Sequence, residues 1–144
     1  MKLTHLTLAV LAAVPVPAMA GTVTINVTGL RQGTGDLYVS LQTRDQFMKP
    51  TGTSGEIVTR PAAGSRTVTL SNVPAGTYAI SVWHDVNGNK QWDGEEAGGP
   101  GPFDGWAMLN GDTLRAEPRF EQVSFTMGDG ARTFTLPVRY GYGR

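Results

Sequence analysis

The sequence predicts an all-β protein, an antiparallel β-sandwich of the prealbumin or immunoglobulin-like type with about seven or eight strands. Short stretches alternate apolar and polar residues, which is the pattern of strands with one buried face. Glycine is abundant, with 19 residues, and much of it falls between these stretches. No stretch carries a convincing helical period. Many short strands separated by glycine-rich turns are typical of a sandwich.

Residues 1–20 are expected to be a signal peptide and not part of the fold. Lys2 gives a basic start, an almost unbroken apolar run extends from Leu6 to Val16, and Ala18-Met19-Ala20 fits an A-x-A cleavage site. A membrane anchor is the alternative, but the run is too short to span a bilayer. Cleavage after Ala20 predicts a periplasmic or secreted bacterial protein with one domain, residues 21–144, and with no membrane span.

The charge balance and the absence of cysteine narrow the range of partners. The chain has 12 basic and 12 acidic residues and no cysteine. Nucleic acids and anionic membrane surfaces bind basic faces, so this balance argues against both. An exported chain without cysteine must be stable without disulfides. A bound divalent cation is the remaining kind of cross-link that could stabilise the fold, and it is the predicted partner.

The alternating stretches can be placed in chain order. The first strand runs from Thr22 to Thr28. Residues 43–55 have no clear period, so we expect a surface loop with a short helical turn near Asp45 to Met48. Pro137 lacks an amide donor, so the last strand is expected at a sheet edge. The other predicted strands are Leu37–Leu41, Ile57–Arg60, Thr67–Leu70, Thr77–His84 and Val123–Met127, with Phe134–Tyr140 last.

The strand from Thr77 to His84 is expected to be central and to position the loop that follows it. Tyr78 comes directly after a Pro-Ala-Gly-Thr turn. This placement resembles the tyrosine corner of β-sandwiches, in which the phenol binds backbone beside a turn. Period-two alternation predicts one shared face for Tyr78, Ile80, Val82 and His84.

The stretch directly after this strand has the residue pattern of an EF-hand-type calcium loop. Oxygen-bearing side chains stand at loop positions 1, 3, 5, 9 and 12, and position 7 would contribute a backbone carbonyl. A hard cation needs about six to eight oxygens around one point. The predicted cofactor is therefore Ca²⁺, and the predicted ligands are Asp85, Asn87, Asn89, Gln91, Asp93 and Glu96.

A second interpretation of the same stretch stays open. Asp, Asn and Gly are ordinary turn residues, so the run can be a solvated loop that binds nothing. Lys90 stands at position 6, where an EF-hand loop uses glycine for a sharp turn. To make that turn, Lys90 needs a left-handed backbone conformation at a cost of roughly 1 kcal/mol.

A series of segments between Pro74 and Asn110 follows a family pattern in order and spacing. The matching segments are Pro74-Ala-Gly-Thr-Tyr-Ala-Ile80, Val82-Trp-His-Asp85, the loop, Gly99-Pro100 and Asp104-Gly-Trp106…Asn110. In these segments the chain resembles a bacterial secreted family catalogued as domain of unknown function 2141. The resemblance covers nearly all of the chain beyond the signal peptide and implies no known activity. The departures from the family pattern are Trp83, Lys90, Asp104, Trp106 and Leu109, and Lys90 bears most on cation affinity.

The loop by itself is also similar to the calcium loops of B-type repeats in Gram-positive surface adhesins. Gly98 falls on the glycine that follows those loops. In the repeats the metal rigidifies a prealbumin-like sandwich and does no chemistry. The resemblance therefore implies a structural ion. The positions that match are Asp85, Asn87, Asn89, Asp93 and Glu96.

The residues for catalysis are mostly missing, and we expect no enzyme. His84 is the only histidine beyond the signal peptide. Its neighbour Asp85 would point to the opposite face of a strand, so the two cannot form a simple dyad. A structural role for His84 at the base of the loop is preferred over a ligand or catalytic role.

Three tryptophans, Trp83, Trp92 and Trp106, crowd the region around the loop. If exposed, they can stack on sugar rings or grip a peptide. The alternative function is therefore a carbohydrate- or peptide-binding domain, with a cell-surface glycan or protein as partner. We prefer a role in covering the base of the loop. The sequence favours an exported, non-enzymatic β-sandwich with a calcium-type loop, acting as a structural or accessory binding module.

Overall fold

The computed structural model describes residues 20–94 and 101–141, which form a sandwich-like fold of two sheets with three and six strands. The predicted all-β fold class is confirmed. The described strands are β1 (Ala20–Leu30), β2 (Leu37–Gln42), β3 (Ser54–Val58), β4 (Gly64–Pro74), β5 (Gly76–His84), β6 (Gly105–Ala107), β7 (Ser124–Met127), β8 (Ala131–Pro137) and β9 (Arg139–Tyr140). The described helical elements are two 3-10 helices, Arg44–Gln46 and Gly111–Thr113, and a helical turn, α1 (Phe120–Val123).

The smaller sheet has the order β4-β1-β8, with β1 in the centre. Val23, Ile25 and Val27 of β1 are fully buried, whereas Thr24 and Asn26 lie on the outer face and stay partly exposed. The predicted alternation of this strand is therefore confirmed. Burial of one apolar side chain of this size contributes about 1.5 to 3 kcal/mol, which holds the sheet onto the core.

One pair of strands departs from the predicted antiparallel arrangement. β1 and β8 run parallel, with Thr24 opposite Thr133 and Val27 opposite Leu136. Alternation determines which side chains share a face, but it does not determine the direction in which two strands pair. The edge position predicted for Pro137 is confirmed, because β8 is the last strand of its sheet.

The larger sheet has the order β3-β2-β5-β6-β9, and β7 pairs with the first half of β5. β5 therefore has neighbours along both edges. Its predicted inner face is confirmed, since Tyr78, Ile80, Val82 and His84 are all buried. Tyr78, Ile80 and Val82 pack in one hydrophobic core with the inner face of β1.

Tyr78 forms the predicted tyrosine corner. Its hydroxyl donates a hydrogen bond to the carbonyl oxygen of Pro74 at 3.0 Å. The bond closes the turn that precedes β5, and Tyr78 itself is only 3% exposed. This bond therefore fixes the start of the central strand, whose other end leads into the 85–96 loop.

Several element boundaries differ from the prediction. The predicted last strand, Phe134–Tyr140, is divided between β8 in the smaller sheet and β9 in the larger sheet. β3 begins at Ser54, inside the segment expected to be a loop, because residues 54–58 pair with β2 in spite of Gly55. Val123 ends α1 and does not start β7. A second small cluster of Ala79, Phe120 and Val123 lies against the outer face of the larger sheet, which explains the apolar residues of this helical turn.

The predicted signal peptide, residues 1–20, lies outside the described residues except for Ala20, which begins β1. Within residues 20–94 and 101–141, no helix is long and apolar enough to cross a membrane.

Candidate cation-binding loop

The 85–96 loop leaves the central strand of the larger sheet at a buried position. His84, the last residue of β5, is 0% exposed, and Asp85 is 1% exposed. The Asp85 N–H donates to the carbonyl oxygen of Asp36 at 3.0 Å, which continues the pairing between β2 and β5 by one step. The first predicted ligand therefore stands on a rigid base.

The Asp85 carboxylate organises the first turn of the loop. Oδ1 accepts the N–H of Gly88 at 2.8 Å, and Oδ2 accepts the N–H of Lys90 at 3.0 Å. Hydrogen bonds to an ionised acceptor are roughly twice as strong as neutral ones. Loop position 1 thus holds the backbone of positions 4 and 6, and each of its oxygens keeps acceptor capacity for a further partner.

Lys90 has the left-handed backbone conformation that the pattern required, with φ of 60°. A residue with a Cβ carries a cost of about 1 to 3 kcal/mol in this conformation, and such strain persists only where surrounding contacts enforce it. The bond from the Lys90 N–H to Asp85 is such a contact. The chain therefore makes the sharp turn of position 6 without glycine.

Three of the predicted ligands converge through their side chains. The amide groups of Asn87 and Asn89 both donate to Oδ2 of Asp93, each at 2.7 Å. Their carbonyl oxygens are also engaged, since Asn87 Oδ1 accepts the Asn89 N–H at 2.9 Å and Asn89 Oδ1 accepts the Gln91 N–H at 2.8 Å. The loop therefore satisfies its own polar groups, with amide nitrogens facing the Asp93 carboxylate.

The structure says less about the remaining two predicted ligands, Gln91 and Glu96. The side chain of Gln91 is exposed, in keeping with the backbone role expected of position 7. Glu96 lies outside the described residues. Among residues 20–94 and 101–141, no three histidine, aspartate or glutamate side chains are grouped closely enough to hold a metal ion. Only Asp85 and Asp93 supply described carboxylates to this loop.

Asp104 is a residue of the site that sequence reasoning missed as a functional position. Its carboxylate is 1% exposed and accepts three hydrogen bonds, from Trp83 Nε1 at 2.8 Å, from the Val86 N–H at 3.0 Å and from the Asp93 N–H at 3.1 Å. Its own N–H donates to the Asp93 carbonyl at 2.9 Å. Asp104 therefore joins the two ends of the described loop. The available signal was its place in the segment Asp104-Gly-Trp106, which aligns with the family pattern although Asp104 and Trp106 both depart from it.

The segment 31–36 packs along the loop. The Thr34 N–H donates to the Val86 carbonyl at 2.9 Å, and the Thr34 hydroxyl donates to the Asn87 carbonyl at 3.0 Å. Gly35 is required here, because a Cβ at this position would clash with the Asp85 carbonyl oxygen and lie 2.7 Å from the Gly88 backbone. Two backbones thus approach closely at the base of the loop.

His84 lies under the loop and contacts Tyr140. Its Nδ1 is 2.6 Å from the Tyr140 hydroxyl, which also accepts the Arg31 N–H at 2.9 Å. One hydrogen bond joins the hydroxyl and Nδ1, and the tautomer of the ring decides which of the two donates. Within the part of the chain that the structure describes, Nε2 has no hydrogen-bond partner. Burial lowers the pKa of His84, and the carboxylates of Asp104 and Asp85 oppose this shift. The lowered pKa favours the neutral form of the ring.

The three tryptophans occupy different environments. Trp83 stacks on Tyr38 with ring centroids 4.6 Å apart, and Trp106 stands opposite Trp83 on the neighbouring strand. Both tryptophans are partly buried on the outer face of the larger sheet. Trp92 lies in the loop and is 46% exposed. The first two thus support the base of the loop, and Trp92 offers the larger exposed aromatic surface.

Comparison with known proteins agrees with the family resemblance seen in the sequence. No curated protein and no solved structure matches the chain. The similarity of the loop to adhesin repeats stays a prediction. A family model described as an uncharacterized protein conserved in bacteria matches residues 25–135, which include all of β2 to β7 and the described part of the loop. The chain therefore belongs to the bacterial family of domain of unknown function 2141.

Proposed function

We propose that the protein is an exported, non-enzymatic β-sandwich whose 85–96 loop binds Ca²⁺. The observation that carries the proposal is the left-handed conformation of Lys90, with φ of 60°. An EF-hand-type loop needs this turn at position 6. A strained conformation in an ordinary lysine is itself a reason to suspect function.

The side chains of the loop can supply oxygen ligands to a hard cation after a small rearrangement. Asp85 and Asp93 bring carboxylates, and the Gln91 carbonyl and Glu96 would complete the set. Asn87 and Asn89 would have to rotate so that their oxygens replace the nitrogens that now face Asp93. The ion must therefore replace existing hydrogen bonds, which favours weak binding.

The expected affinity makes calcium a stabiliser and not a condition of folding. Extracellular calcium modules bind with dissociation constants of about 10⁻⁴ to 10⁻³ M. Calcium at about 1 mM then adds about 0.4 to 1.4 kcal/mol by mass action. That increment suffices to rigidify the loop of a structural or accessory binding module. The bonds from Asp104 and Thr34 hold the loop base without an ion.

The buried position of His84 supports the non-enzymatic interpretation. Its ring is 0% exposed, and its Nδ1 is occupied by Tyr140. A general base must come within hydrogen-bond reach of the proton that it removes. A substrate in solvent does not reach either ring nitrogen in this arrangement.

The exposure of Trp92 favours one second candidate, a carbohydrate- or peptide-binding surface beside the loop. Trp92 is 46% exposed, whereas Trp83 and Trp106 are partly buried. Exposed aromatic rings stack on sugars and on peptide side chains. A titration of intrinsic tryptophan fluorescence with neutral oligosaccharides tests this candidate. Fluorescence that is unchanged in wild-type protein and in Trp92→Ala counts against it.

Thermal unfolding in calcium and in EDTA tests the proposed cation site. We expect about 1 mM calcium to raise the melting temperature by about 2 to 6 °C over EDTA. Asp85→Asn should abolish this shift, because it removes one carboxylate while keeping an oxygen for one of the two backbone N–H groups that Asp85 binds. Asp129→Asn, at an exposed turn before β8, is the matched control and should keep the shift. Equal melting temperatures of wild-type protein in both buffers would contradict the proposal.

A further inference from the structure

Asn87 is followed by glycine in an exposed turn of the loop. In such a pair the backbone nitrogen of the second residue can attack the side-chain amide carbon of the first. Glycine offers no side chain that obstructs this attack. We propose that Asn87 is a site of spontaneous deamidation, which changes the charge of the 85–96 loop.

Two hydrogen bonds of the loop involve the reacting residues. Asn87 Oδ1 accepts the N–H of Asn89 at 2.9 Å, a turn that folds the side chain back over the Gly88 peptide. The Gly88 N–H in turn points at Oδ1 of Asp85 at 2.8 Å. A carboxylate within hydrogen-bond reach of a reacting N–H can act as a general base. Asp85 is therefore placed to accept the proton as the Gly88 nitrogen attacks.

The reaction needs only water as co-reactant. The Gly88 nitrogen bonds to Cγ of Asn87 and closes a succinimide ring, and the Cγ–Nδ2 bond breaks. The proton lost by Gly88 leaves with the side-chain amide as ammonia. Solvent water then adds to either ring carbonyl and opens the ring. One opening gives an ordinary aspartyl residue, and the other gives an isoaspartyl residue with the chain running through Cγ.

Two other asparagines serve as internal controls. Asn89 makes the same kind of turn, with Oδ1 accepting the Gln91 N–H, but the residue after it is Lys90, which carries a side chain. Asn110 is followed by glycine, but its amide donates to the Gln122 carbonyl at 3.0 Å, and the Gly111 N–H donates to a neutral carbonyl, that of Met108. Asn89 lacks the glycine, and Asn110 lacks both the folded side chain and the carboxylate.

Deamidation would change how the loop depends on a cation, an inference that rests on the proposed function. The Asn87 amide now donates to Asp93 Oδ2 at 2.7 Å. An aspartyl side chain at position 87 would face Asp93 as a second carboxylate. Like charges at this distance repel unless a cation lies between them. The modification would thus convert a loop that satisfies its own hydrogen bonds into one that requires an ion.

Peptide mapping of aged protein tests the modification directly. The purified protein is incubated in mildly alkaline buffer, and mass spectrometry follows the replacement of amide NH2 by OH at each asparagine. We expect Asn87 to be half converted while Asn89 and Asn110 are unchanged. Asp85→Asn should slow the conversion of Asn87 and leave Asn110 unaffected. Conversion of Asn89 or Asn110 ahead of Asn87, or no conversion at Asn87, would overturn the proposal.

The variant Asn87→Asp tests the consequence, with Asn110→Asp as control. We expect Asn87→Asp to melt below wild type in EDTA and to bind calcium about tenfold more tightly, because affinity rises with ligand charge. Asn110→Asp should show no calcium gain. An Asn87→Asp variant that matches wild type in both buffers would refute the inferred consequence. Conversion of Asn87 on ageing, together with no calcium response of wild type or variant, would refute the cation function and support the modification site alone.

Discussion

At the scale of single residues, Asp104 holds the loop closed more directly than any predicted ligand. Its buried carboxylate accepts an indole N–H and two backbone N–H groups from opposite ends of the described loop. Three hydrogen-bond donors compensate the buried charge of Asp104. Each of these donors would lose its acceptor if the carboxylate were removed. Asp104 therefore closes the described loop through its own hydrogen bonds.

Replacing Asp104 should be among the more destabilising single changes near the loop. Asp104→Ala leaves Trp83 Nε1, the Val86 N–H and the Asp93 N–H without an acceptor, at about 1 to 3 kcal/mol each. We expect a loss of at least about 3 kcal/mol of unfolding free energy in urea. Asp129→Ala, at an exposed position, should lose almost nothing. A loss at Asp104 no larger than at Asp129 would show that these bonds contribute no stability.

Gly35 allows the closest backbone approach at the loop base. Gly35→Ala should cost about 1 to 3 kcal/mol, because the added Cβ meets the Asp85 and Gly88 backbones and cannot be accommodated by a flexible side chain. Gly130→Ala is the matched control, since a Cβ there has no atom within 4 Å. Urea unfolding of both variants measures the difference. Equal stability of the two variants would contradict the packing described for segment 31–36.

At the scale of elements, β5 explains both the success and the limits of prediction. Its alternation was sufficient to predict the buried face that ends in His84, and Tyr78 was sufficient to predict the corner with Pro74. The parallel pairing of β1 with β8 and the packing of segment 31–36 could not be predicted, because both depend on contacts between distant parts of the chain. Periodicity is a local property and carries no information about such contacts.

The tyrosine corner predicts the effect of removing one oxygen atom. Tyr78→Phe keeps the buried ring and loses only the bond from its hydroxyl to the Pro74 carbonyl. A bond of this kind contributes about 0.5 to 1.5 kcal/mol, so urea unfolding should show a loss of about 1 kcal/mol. An unchanged urea midpoint would mean that the bond to Pro74 is no more favourable than a hydrogen bond from the hydroxyl to water.

At the scale of the whole molecule, the residues of the core are distinct from the residues of the candidate cation site. The core lies between the two sheets, and the chain reaches this arrangement with no cysteine. The 85–96 loop leaves from the end of the central strand, where the base is rigid and the tip is exposed. Loops placed on a rigid scaffold are where binding residues concentrate. This placement explains why residues 87–91 can be exposed and polar without a loss of fold.

Isothermal titration of the wild-type protein with calcium tests the central claim most directly. Coordination by Asp85, Asp93 and their neighbours predicts one saturable site with a dissociation constant of about 10⁻⁴ to 10⁻³ M. The site should be lost in Asp85→Asn and kept in Asp129→Asn. Wild-type protein that gives no saturable signal with calcium, or an Asp85→Asn variant that binds as tightly as wild type, would contradict the account.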